Sequence, residues 1–152
     1  MALASTLGFR RKKAPVEIGW AEMVDLPELG IFGIPSKIDT GARSSSIYGT
    51  HIRVIERDGT EFLRFRLRTA PRHFHMVEAP LIEQRHVTSS NGRKEHRYVI
   101  RTTLKIGRKK KRTDITISNR RSMTFPMLVG RRALRNSFTV NVARKYVLGH
   151  PA

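Results

Sequence analysis

The chain has 152 residues and no cysteine, with 30 lysines and arginines against 12 acids, for a net charge of +18. That length favours one domain, and the missing cysteines exclude disulfides, thiolate nucleophiles and every cysteine-based zinc or iron–sulfur site. The charge attracts polyanions at long range without dictating a fold.

Residues 1–14, "MALASTLGFRRKKA", carry their positive charges after a weakly apolar start. A secretory signal has the reverse order, so this segment is read as a flexible basic arm of a cytoplasmic protein. Residues 15–152 are read as a single domain. No apolar run approaches the ~20 residues that span a bilayer, and no membrane partner is expected.

After Pro15, "VEIGWAEMVDLPELGIFGIPSKI" is broken by Pro27, Gly30, Gly33 and Pro35. Such punctuation favours strands and turns over helices. Asp39 follows, in the small-residue stretch "SKIDTGARSSSIYG", and is one of only four aspartates in the chain. Gly41 permits close backbone approach, so the turn can present a carboxylate. By itself the tripeptide Asp-Thr-Gly more often marks an Asx-turn that merely ends a strand.

Next, "SIYGTHIRVIERDGTEFLRFRLRT" alternates well, with Ile52, Val54 and Glu56 expected on one face. Asp58-Gly59 is a hairpin signal. Leu63, Phe65 and Leu67 alternate with Arg64, Arg66 and Arg68, the pattern of a half-buried strand with a cationic outer face. "APRHFHMVEAP", bounded by prolines, reads as a loop or an edge segment. Asn91-Gly92 marks a second hairpin, and "GRKKKRT" a third turn. "MTFPMLVG" is a short apolar strand ending on glycine. "RRALRNSF" is expected to form about two helical turns, near residues 131–136, and "FTVNVARKYVL" to close the chain as strands. Short strands at near-regular spacing with one short helix indicate an all-β barrel or sandwich.

Candidate chemistry is sparse. His73 and His75 would share a strand face, but no third ligand is specified, and two surface histidines are the simpler reading. There is no glycine-rich P-loop and no H-E-x-x-H segment. No metal and no cofactor are expected.

The pair "IDTGA" and "MLVGRRAL", in this order and with a hairpin between, resembles the retropepsins, the retroviral-type aspartic proteases. "IGWAEMVDLPELGI", "KIDTGARSSSI", "RYVIRTTLKIG" and "FPMLVGRRAL" together resemble a bacterial retropepsin-like family often labelled ATP-dependent zinc proteases. The resemblance implies a retropepsin-like closed barrel with one short C-terminal helix. It implies Asp39 as the catalytic residue, in a loop with Thr40, Gly41 and Ala42. Gly130 and Arg131 would support the crossing of this loop by the later apolar strand. Ser90, Asn91 and Gly92 would form the tip of a flap over the substrate. One Asp-Thr-Gly per chain implies a homodimer whose two Asp39 carboxylates share a proton, with the segments near "VEIGW" and "FTVNVARKYVL" adding strands to the dimer contact. Arg43 departs from the family pattern, in which an acid commonly follows; Arg131 must then find another acceptor, a backbone carbonyl or a glutamate. Ala42 cannot donate a hydrogen bond as a serine would, so activity nearer neutral pH is expected.

The family is associated with ATP-grasp glutamate ligases, which makes a glutamate-rich peptide or protein an expected substrate for so basic a surface. The alternatives are a basic module that binds nucleic acid non-specifically and a catalytically silent β-barrel.

Overall fold

The computed structural model describes residues 14–88, 92–119 and 124–149. The basic arm, save Ala14, lies outside them. The strands are β1 (Val16–Gly19), β2 (Ala21–Leu26), β3 (Ile31–Ile38), β4 (Ser45–Tyr48), β5 (Thr50–Arg57), β6 (Thr60–Ala70), β7 (His73–Thr88), β8 (Lys94–Ile106), β9 (Lys109–Ser118), β10 (Met127–Val129) and β11 (Phe138–Asn141). A 3-10 turn covers Pro27–Leu29, and the one helix, α1, covers Arg131–Leu134. No helix among the described residues is long and apolar enough to cross a membrane.

Six strands close a barrel in the order β2-β3-β10-β4-β9-β8, with Asp25 of β2 paired to Lys105 of β8. From β8 the sheet continues outward through β7 and β6 to β5. Strands β1 and β11 pair with each other in parallel, Val16 opposite Phe138 and Gly19 opposite Asn141.

The core follows the alternation in the sequence. Leu63, Phe65 and Leu67 are buried while Arg64 and Arg68 are exposed, as the pattern on β6 predicts. They pack with Ile47, Ile100, Leu104, Ile115, Ile117 and Val129. Full burial of each such side chain contributes ~1.5–3 kcal/mol. Asp58 and Gly59 both have positive φ, 51° and 78°, and form the expected tight turn between β5 and β6. Positive φ at both central residues matches the right-handed twist of the flanking strands.

Several expectations are corrected. "APRHFHMVEAP" is not a loop: all but its first residues belong to β7, which lies between β6 and β8. Residues 73–80 pair with β6 and residues 81–88 with β8, so Pro80 falls where the pairing changes partner. A missing N–H is tolerated at such a break in the ladder. The turn in "GRKKKRT" is only Gly107-Arg108, and the lysines extend into β9. The helix makes one turn, because Arg135 leaves helical geometry and Asn136 takes a φ of 66°. A bulge between Thr50 and Arg53 breaks the expected face of β5, leaving Ile52 and Ile55 half-buried and Val54 exposed. Of the closing run, only Phe138–Asn141 is strand. The rest is held by Glu22. This buried carboxylate accepts N–H groups from Gly19 at 2.7 Å, Val147 at 3.0 Å and Leu148 at 3.2 Å.

Candidate functional site

Strand β3 delivers the chain to Asp39 through Ile38, whose N–H donates to Trp20 O at 2.8 Å. Asp39 itself donates its N–H to Val129 O at 2.8 Å, which fixes its backbone to the end of β10. β10 lies between β3, to which it is parallel, and β4, to which it is antiparallel. The loop after Asp39 then turns back over the strand that pins it. Ala42 N–H donates to Asp39 O at 3.1 Å, and Gly41 N–H donates to the carboxylate Oδ1 at 3.1 Å.

The later strand leaves this crossing through Gly130. A Cβ at Gly130 would stand 2.5 Å from Ser44 O, so no larger residue fits without displacing the loop. Its N–H donates to Ser45 Oγ at 3.1 Å. Arg131 N–H then donates to Ala42 O at 2.8 Å, and Arg132 N–H to Arg43 O at 3.1 Å. The Arg131 side chain donates from Nη1 to Thr40 O at 3.0 Å. The acceptor that Arg131 lacks in the absence of an acid at position 43 is therefore a backbone carbonyl. Gly130 and Arg131 thus stand against residues 40–45.

Asp39 and Ala42 are half-buried, while Thr40 and Gly41 are exposed. The carboxylate is carried by a rigid backbone frame at a surface that is open within the single chain. On either side of the loop is a hollow. One, about 600 Å³, runs from Ala42 and Ser44–Ser46 to Trp20, Phe125, Lys37 and Arg97. Trp20 and Phe125 meet edge to face in it with ring centroids 6.1 Å apart. The other, about 700 Å³, is lined by Thr40, Arg43, Arg131, Arg132, Arg135 and apolar atoms of Leu134, Phe138 and Val140. Asp39 lines neither hollow, though its neighbours Thr40 and Ala42 line one each.

The aromatic wall escaped the sequence reading. Trp20 is the only tryptophan of the chain, and that rarity was the available signal. Its backbone bond to Ile38, one residue before Asp39, joins positions far apart in sequence and could not be read there.

Strands β7 and β8 pair out to Thr88 opposite Lys94, so the expected hairpin is present. Gly92 is exposed with a φ of 80°. Ser90 and Asn91 of the expected tip lie outside the described residues. His75 Nε2 lies 3.2 Å from Thr69 Oγ1, and no cluster of three metal-ligating side chains occurs among the described residues.

Residues 17–151 match the RimB-like family, described as retropepsin-like aspartic endopeptidase RimB. A protein of Desulfotalea psychrophila (strain LSv54 / DSM 12343) named "Probable alpha-L-glutamate ligase" is 38% identical over 135 residues, which are 87% of this chain and 29% of that protein. A protein of the same name from Shewanella pealeana (strain ATCC 700345 / ANG-SQ1) is 34% identical over 87% of this chain and 30% of its own length. The chain thus spans less than a third of the length of these curated relatives. Among solved structures, the crystal structure of a protein of unknown function from Legionella pneumophila subsp. pneumophila str. Philadelphia 1 superposes with a TM-score of 0.73 at 25% identity, covering 88% of this chain and 98% of that one.

Proposed function

Since the chain belongs to the RimB-like family of retropepsin-like aspartic endopeptidases, we propose that it hydrolyses peptide or isopeptide bonds between two Asp39 carboxylates, one from each of two copies. The observation that carries this reading is the frame around Asp39. Val129 O and the Ala42 N–H hold the Asp39 backbone and the Gly41 N–H holds its carboxylate, while Thr40 and Gly41 beside it stay exposed and can meet a second copy.

The dyad holds one proton. The ionised carboxylate takes a proton from water as the water oxygen attacks the carbonyl carbon, and the protonated partner gives its proton to the carbonyl oxygen. The resulting gem-diol returns a proton to the nitrogen, the C–N bond breaks, and the pair is left again with a single shared proton. Thr40 from each copy holds the loops together, and the β7–β8 hairpin serves as the lid. The β1–β11 ribbon is a further contact between copies, as each of its strands pairs with no other strand among the described residues.

The substrate class we assign is a glutamate-bearing peptide or protein, in functional partnership with an ATP-grasp glutamate ligase. Three observations favour it. Relatives named glutamate ligase contain a domain like this one. The chain carries a net charge of +18. Arg43, Arg131, Arg132 and Arg135 line one hollow beside the loop, and none of them has an acid partner among the described residues.

The test is digestion of oligoglutamyl peptides and of neutral peptides of equal length, followed by mass spectrometry, with the wild type and Asp39→Asn. Cleavage of the acidic set by the wild type alone is expected. Undiminished cleavage by Asp39→Asn would remove Asp39 from the chemistry, and equal cleavage of neutral peptides would remove the substrate class.

A further inference from the structure

The register of β5, β6 and β7 gathers arginines that the sequence scatters. Residues directly opposite on neighbouring strands share a sheet face, as do alternate residues along a strand. Leu63 opposite Ala79 and Phe65 opposite Val77 form the buried face. The other face therefore holds Arg53 opposite Arg64, which on its other side is opposite Glu78, together with Arg66 opposite Met76 and Arg68 opposite Phe74. Arg57 is also on it and pairs with Glu78. Among the described residues Arg53, Arg64, Arg66 and Arg68 have no acid partner.

This arrangement works against the stability of the sheet. Like charges directly opposite one another destabilise a strand pair, and Arg53 and Arg64 are such a pair. Glu78, opposite Arg64, is engaged by Arg57, which leaves the repulsion between Arg53 and Arg64. A bound polyanion would relieve it. All the cations named here are arginines, whose planar guanidinium grips phosphate in a bidentate manner and stacks on rings. Along β6 they recur every second residue, a repeat of ~6.7 Å, on the scale of successive phosphates in an extended strand. Ring surface lies among them. The Arg66 guanidinium sits 4.3 Å from the Phe74 ring centroid, Phe74 is 50% exposed, and Phe62 lies on the same face opposite Pro80. A row of cations interleaved with π-faces is the chemistry that holds single-stranded nucleic acid.

We infer that the outer face of β5–β7 binds single-stranded nucleic acid, with Arg53, Arg64, Arg66 and Arg68 on phosphates and Phe62 and the Arg66–Phe74 stack against bases. Exposed carboxylates of an acidic peptide would engage the arginines but gain nothing from the rings, which is why the nucleic acid is favoured. This inference stands independently of the Asp39 chemistry, whose loop joins β3 to β4 and lies against β10.

The test is titration of a fluorescent 12-nucleotide oligouridylate with the full-length protein between 50 and 200 mM salt. The variant Arg53→Gln/Arg64→Gln/Arg66→Gln/Arg68→Gln should lose at least ~30-fold in affinity, with the log–log salt slope falling by about 0.7 for each phosphate contact removed. A charge-matched control, Lys105→Gln/Arg108→Gln/Lys109→Gln/Lys110→Gln, should lose far less. Phe74→Ala should weaken binding on the order of tenfold with little change of slope. Single reversals, Arg53→Glu and Arg68→Glu, leave the Arg66–Phe74 stack intact and keep the test available should the quadruple variant fold poorly. Equal losses in the two charge-matched variants would overturn the inference, since net charge alone would then explain binding. So would an oligoglutamate of equal charge, or anionic phospholipid vesicles, binding as tightly and with the same dependence on Phe74.

Discussion

At the Asp39 loop one carboxylate is framed by hydrogen-bonded backbone groups, whereas on the outer face of β5–β7 four arginines have no acid partner among the described residues, and the Nε of one of them, Arg66, is buried and unpaired. The loop is tight: a single added carbon at Gly130 would collide with Ser44. The sheet face is loose, and its like charges lie opposite each other. In the first region the backbone contacts that hold the loop also place the carboxylate, so substitutions that displace the frame should cost both stability and activity, and those confined to the carboxylate should cost activity alone. In the second they are opposed, so removing charge should stabilise the fold while removing a binding surface.

The strongest break of this contrast is Asp39→Asn. Activity should fall on the order of 10³-fold or more, because a carboxamide can neither take nor give the shared proton. Thermal stability should barely move, since the amide oxygen can still accept the Gly41 N–H. A large loss of melting temperature would show that the carboxylate is chiefly structural. Gly130→Ala comes next and should damage both properties. Overpacking against the Ser44 backbone should cost about 1–3 kcal/mol, or several degrees in the melting temperature of a domain this size. Gly41→Ala makes the useful contrast. Its Cβ would lie 3.3 Å from Asp39 Oδ1 with no closer contact, so activity should fall while the melting temperature changes little.

Ala42→Ser should sharpen the first region without breaking it. Ala42 is half-buried one turn beyond Asp39, where a hydroxyl can donate to the ionised form of the proposed dyad. Donors to the charged form favour it, so the pH–rate profile should move toward acid. An unmoved profile would show that the hydroxyl does not reach the reacting pair. In the second region Arg64→Thr should do the opposite of Gly130→Ala. Relief of the Arg53–Arg64 repulsion should raise stability by about 0.2–1 kcal/mol, read as a higher melting temperature at low salt that converges with the wild type as salt is added. A lower melting temperature at low salt would show that attraction to Glu78, opposite Arg64, or packing by Arg64 outweighs the repulsion.

The same contrast governs what could be read from sequence. Asp-Thr-Gly and the later glycine-arginine pair are short, and each is chemically constrained where it stands, so both halves of the crossing were visible before their contact was. The Asp58-Gly59 turn was legible for the same reason, because positive φ at both residues selects those side chains. The arginine face was half legible: β6 announced its alternation, but Arg53 and Phe74 join it only through register. β7 was misread because Pro71 and Pro80 look like loop punctuation, and only the change of partner at Pro80 makes a long strand acceptable. Glu22 lies on the inward face with Val24 and Leu26, and an acid in that position was a visible anomaly. Its partners, Val147 and Leu148, were not visible, being more than a hundred residues away.

The smallest expected effect concerns Glu28, which belongs to neither region and calibrates both. It sits in the 3-10 turn after β2 and ties it to the β8–β9 hairpin: the Thr103 hydroxyl and N–H donate to it, the latter at 3.0 Å, and Arg112 Nη1 lies 2.9 Å from Oε1. The Thr103 hydroxyl first, then Arg112, holds its carboxyl below its ordinary value of 4.5. A carboxyl depressed in this way adds stability that is present above its ordinary value and is lost as pH falls through the lower, folded value. Glu28→Gln should therefore melt slightly below the wild type at pH 7, and the gap should close as the pH drops below 4.5. Because the group is exposed and the pair is screened, added salt should shrink the gap at neutral pH. A gap that persists in acid would assign the effect to the shape of the turn, and the charge-based accounting used for the arginine face would then need the same correction.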